Sequence, residues 1–151
     1  MPTVTRTLPL PADRAWDLVA DARNHARWVP FTRVDVIDGE VVAVTGPRAR
    51  RGGRGLVDRM RVDRFDPPSG GRPGVAEFVK VGRVLLGSAR IEVTPAGPDA
   101  ARVRWREDVH LAGPLPRRLT AAVGAPVLAA MVRRALRMAA DEARQERAHH
   151  L

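Results

Sequence analysis

The chain has no cysteine and no tyrosine, three tryptophans, three phenylalanines, and a single lysine, Lys80, among its 26 basic residues. Without cysteine there can be neither a disulfide nor a thiolate metal site. Arg6, Asp13 and Arg14 break up the N-terminal stretch, so it lacks the apolar core of a signal peptide, and a cytoplasmic location is the default expectation. No G-x-S-x-G elbow, H-E-x-x-H pair or P-loop occurs, which removes the hydrolase, zinc-protease and nucleotide-binding classes that those motifs mark. Of the four histidines, His110 is expected on a solvent face and His149-His150 at the chain end, so no metal or other cofactor is implied. The charge of +9 raises nucleic acid as a partner. The arginines are nevertheless scattered, and only Arg48-Ala49-Arg50-Arg51, with Arg54, forms a dense run. With so few aromatics to stack on bases, the composition points away from nucleic acid.

What is present is patterning. Residues 102–111 alternate strictly: Val103, Trp105, Val109 and Leu111 face one way, and Arg102, Arg104, Arg106, Asp108 and His110 the other. This is the signature of a strand with one covered and one wet face. Weaker strand patterns occupy 2–9, 32–38, 41–45, 56–63, 75–84 and 88–94, with a join expected near 85–87. Helices are expected after Pro11 and around 24–28, the second stopped by Pro30. In the last forty residues Gly124-Ala125-Pro126 suggests a short helix at about 116–123 and a long one from Pro126. Val127, Leu128, Met131, Val132, Ala135, Leu136, Met138 and Ala139 share half of its wheel, opposite Arg133, Arg137 and Arg144. Those arginines argue against a membrane span. The middle strands are too closely spaced for crossover helices, so the sheet is antiparallel. One domain over 1–151 is expected, as a monomer or homodimer.

In its order of elements the chain resembles the START-like or SRPBCC superfamily, most closely its bacterial polyketide cyclase/dehydrase and lipid-transport subgroup. The resemblance is carried by VTRTLPLPADRAWDLVADARNHARWVP (4–30), DRMRVDRFDPP (58–68), GRVLLGSARIEV (82–93), RVRWREDVHL (102–111) and the final helix. It implies an α+β helix-grip fold: a seven-stranded curved antiparallel sheet wrapped around a long C-terminal helix, with two short helices after the first strand. It also implies an elongated apolar cavity between sheet and helix, holding a small hydrophobic molecule such as a lipid, quinone or polyketide. Fold analogy does not choose between carriage and catalysis.

Two carboxylates interrupt inward apolar faces. Asp58 lies between Leu56 and Met60, and Glu107 between Trp105 and Val109. A carboxylate so placed must be paired, hydrogen-bonded, solvated or protonated. Either one could orient a polar ligand group or act as general acid/base, and either could equally be an internal ion pair or a cap at the sheet rim. Lys80 faces Glu92 on the wet side in one register and Asp58 inside in another, one residue apart. Trp28 and Trp105 could stack on a ligand or simply pack. Met60, Met131 and Met138 offer adaptable apolar surface, in a pocket or as core filler. With Val62, Ile91 and Leu128 these residues complete the expected ligand-contacting set. Three function classes follow: a hydrophobic-ligand carrier, a cyclase/dehydrase-type enzyme, and an interaction module that uses the arginines.

Overall fold

In a computed structural model, residues 2–149 are described, and the sheet order is β1-β7-β6-β5-β4-β3-β2, antiparallel throughout. The strands are β1 (Thr3–Leu8), β2 (Thr32–Ile37), β3 (Glu40–Thr45), β4 (Leu56–Asp66), β5 (Gly74–Val81), β6 (Leu85–Pro95) and β7 (Ala101–Leu111). Helix α1 (Ala12–Val19), a 3-10 turn (Ala22–Asn24) and α2 (His25–Trp28) fill the connection from β1 to β2, and α3 spans Arg117–His149. The seven-stranded sheet with its long C-terminal helix is the helix-grip arrangement.

The alternation in β7 sets the two faces. Ala101, Val103, Trp105, Glu107 and Val109 are buried on the concave side, with Ala89, Ile91 and Val93 of β6 beside them. A bulge at Asp63 shifts the β4–β5 register between Val62 and Arg64. The extra residue turns the strand, and beyond it Phe65 tilts against Trp16 of α1, ring centroids 5.0 Å apart. Near the other end of the strands Gly87 has φ +122°, and a Cβ there would collide with the Asp108 carbonyl oxygen. Only glycine fits.

Three expectations need correction. The Pro126 break does not occur: α3 is continuous, with the proline inside it. Proline removes one internal hydrogen bond, whereas two separate helices would leave a full set of terminal amides and carbonyls to satisfy. Val127 is 71% exposed rather than part of the buried stripe. It stands nine residues, about 180° of helical wheel, from Leu136, and the stripe that is buried (Val132, Ala135, Leu136, Ala139, Ala140, Ala143) is narrower than half a wheel. The join between β5 and β6 falls at 82–84, not 85–87, so Lys80 pairs with Gly87 and points inward.

Within Arg117–His149 lies an 18-residue window long and apolar enough to cross a membrane, with 17% of it buried. The burial in α3 begins at Val132, where the helix enters the core. Its first half has no buried residue.

Candidate ligand-binding site

Sheet register gathers the inward polar groups. Val36, Val41, Met60, Lys80, Gly87 and Val109 form one row across six strands, and Val62, Phe78, Ala89 and Glu107 the next. Gly87 and Ala89 leave little side chain above β6, so Lys80 and Glu107 flank a shallow place in the concave face. Lys80 Nζ donates to Asp58 Oδ2 at 2.5 Å, a diagonal cross-strand contact, and lies 3.8 Å from Met60 Sδ. Lys80 is 7% exposed. A lysine buried to that degree requires a partner carboxylate, and removing one member would strand the other.

Glu107 is 6% exposed and differs from Asp58 in having no cation bonded to it among the described residues. Its Oε1 accepts from Trp105 Nε1 at 3.0 Å, and its Oε2 is buried with no hydrogen-bond partner. Burial pushes its carboxyl above the ordinary value; the Lys80 ammonium and the Trp105 hydrogen bond pull the other way, and the Asp58 charge adds to the rise. A protonated Oε2 would be a donor with nothing to donate to.

Next to this pair the aromatic residues form a short stack. The His25 ring lies 4.7 Å from Trp105 and 5.6 Å from Trp28. His25 Nε2 lies 2.8 Å from the Val19 carbonyl, and burial holds its pKa below the ordinary value. Trp28 Nε1 donates to Glu142 Oε1 of α3 at 2.8 Å, and Arg27 bonds the same carboxylate, which holds Glu142 low. Both indole N–H groups therefore end on carboxylates. Sequence reasoning missed His25 and Glu142. Glu142 stands 114 positions from Trp28 and looks like any other exposed helix charge.

The remaining expected contacts separate. Trp28 and Ile91 are sealed in the core. Asp58, Met60, Leu128, Met131 and Met138 are part-buried, and Val62 is exposed at the bulge. His110 points outward as expected, though its Nδ1 is buried without a partner, and His150 lies outside the described residues. Among the described residues no cluster of three or more metal-binding side chains occurs.

The site is an open trough rather than a closed cavity. α3 rests chiefly on β7 and β1, and on the far strands Val41 is buried in the core while Val36 and Leu56 are exposed. A Cβ built on Gly124 of α3 meets nothing within 4 Å. The trough thus has apolar walls and one polar patch, made by Asp58, Lys80 and Glu107.

This fold matches the helix-grip fold of START/SRPBCC proteins. The chain belongs to the family described as polyketide cyclase / dehydrase and lipid transport, whose model matches residues 2–144. The fold is similar to the Zhui aromatase/cyclase from Streptomyces sp. R1128, with 17% identity and a TM-score of 0.69, covering 95% of this chain and 92% of that one. It is also similar to a START superfamily protein from Mycobacterium smegmatis, with 15% identity, a TM-score of 0.68, and 93% and 96% of the two chains covered. The di-domain ARO/CYC BexL from the BE-7585A biosynthetic pathway aligns at 20% identity and a TM-score of 0.62, over 92% of this chain and 44% of that one. No curated protein sequence matches the chain.

Proposed function

We propose that the chain binds a small hydrophobic molecule bearing a carbonyl or hydroxyl group in the trough between α3 and the concave sheet face. The observation that carries this is Glu107: a buried carboxyl with one oxygen unpartnered and its pKa pushed upward by burial. Such a group is costly to leave unsatisfied, by about 1–3 kcal/mol, and a ligand oxygen or hydroxyl would relieve that cost. Met60, Leu128 and Met131 supply the adaptable apolar contacts, and Trp105 holds the carboxyl in place from its other oxygen. The Lys80–Asp58 pair adds a fixed dipole beside it. Lipids, quinones and polyketides all fit this description.

The second reading is catalytic, and the same oxygen favours it. Neutral Glu107 could act as general acid toward a carbonyl of a polyketide-like chain held bent in the trough, a role in line with the aromatase/cyclase folds.

Native mass spectrometry of protein purified from its own host, followed by denaturing extraction, tests binding. A stoichiometric hydrophobic molecule is expected, and its affinity should fall about tenfold in Glu107→Ala. An apo mass together with no thermal shift across lipids, quinones and polyketides would overturn the binding reading. For the catalytic reading, Glu107→Gln should keep ligand and lose turnover; full turnover would remove Glu107 from the chemistry.

A further inference from the structure

The register brings four segments to one end of the sheet: 29–33 entering β2, 45–57 from β3 to β4, 81–86 from β5 to β6, and 110–120 from β7 into α3. Together they contain eight arginines (33, 48, 50, 51, 54, 83, 117 and 118) and not one aspartate or glutamate. Two of the eight are engaged by carboxylates just behind the end, Arg33 by Asp35 and Arg117 by Asp108. The α3 helix continues the bias, with no acid before Asp141. At this end the molecule is also apolar at its surface. Phe31, Leu56, Val84, Leu111, Leu115 and Leu119 are all exposed, and Val123 and Val127 extend the strip up α3 at 71% exposure each. Leu115, Leu119, Val123 and Val127 recur every four residues, which places them along one face of the chain entering and following the helix. Phe31 is held at φ 56° with its ring in solvent, an outlier for a bulky residue.

Arginines alone suit any polyanion, and apolar side chains alone suit any dry partner. Their combination on one helix-bearing end, with opposite charge excluded, fits a surface that is anionic outside and hydrocarbon just beneath. We propose that this end, comprising the first half of α3, Phe31 and the 48–54 loop, docks on an anionic lipid bilayer. Leu119, Val123 and Val127 enter the acyl boundary and the arginines lie among the headgroups. The helix lies on the surface and does not cross it, because its second half is built into the core. This goes beyond the ligand-binding reading and does not depend on it, since vesicle association is measured with no ligand added.

The test is co-flotation of the full chain with vesicles of phosphatidylcholine alone or with about a third phosphatidylglycerol, at low and high salt. Binding to the anionic vesicles only is expected, reduced at least tenfold by Val123→Asp/Val127→Asp and, separately, by Arg51→Glu/Arg54→Glu, and weakened by salt. Because the chain has no cysteine, Val123→Cys gives a unique thiol for an environment-sensitive dye, whose emission should shift to the blue on binding. Absence of binding at low salt would overturn the proposal. Binding indifferent to the valine pair would reduce it to nonspecific charge attraction and overturn it too. A dimer in light scattering that Val127→Asp converts to monomer would assign the strip to a second copy instead.

Discussion

The two halves of α3 differ in charge and have opposite fates: 117–131 carries two charged residues, Arg117 and Arg118, and 132–149 carries eight. From Val132 onward, alanines, Val132 and Leu136 are buried against the sheet and the short helices. Before it, Leu119, Val123 and Val127 stand in water, and Ala121, Gly124, Ala125 and Leu128 are only half-buried. Hydrophobicity alone did not decide which half would be covered. Small residues allow close approach only where the sheet rises to meet them, which β7 and β1 do for the second half. Pro126 lies near the changeover. One half is therefore core and the other a boundary surface.

Breaking the core half should have the largest effect. Leu136 is fully buried, and Leu136→Ala should cost about 2–5 kcal/mol, read as a fall in the urea midpoint. Pro126→Ala would make the halves more alike. Restoring the missing N–H should stabilise the first half locally by up to about 3 kcal/mol, slowing amide exchange over 119–130 while the global midpoint moves far less. The sheet beneath can be probed through Glu107. Its folded pKa is raised, so above its ordinary value of 4.5 the unfolded chain ionises while the folded one resists, and stability is lost as pH rises toward the folded pKa. Glu107→Gln should therefore be more stable than the parent at pH 8, by about 1–3 kcal/mol, and the gap should close below pH 4.5. The smallest effect is expected at Val127, where Val127→Ala should change stability by no more than about 0.5 kcal/mol. A large loss there would mean that the first half is packed after all.

The fold was legible because alternation and spacing are local properties. The β7 pattern and the close spacing of the middle strands fix an antiparallel sheet without any knowledge of the core. The site was legible in part. Asp58 and Glu107 stood out because a carboxylate in an apolar row is a local anomaly. Their different solutions, one bonded to a cation and one to an indole N–H, depended on Lys80, whose face turned on whether three residues at 82–84 or three at 85–87 make the turn. Both stretches contain glycine, and a one-residue slip exchanges the faces. The Trp28–Glu142 bond left no trace, because it joins distant parts of the chain through an ordinary surface residue.

One feature of the polar patch reaches into how the molecule can be handled. Lys80 is the sole lysine, and its amine is buried against Asp58. An amine-directed reagent thus finds a single side-chain target in the chain, and finds it only when β4 and β5 part. The rate at which Lys80 is acylated becomes a clock for the opening of the trough, one a bound ligand should slow.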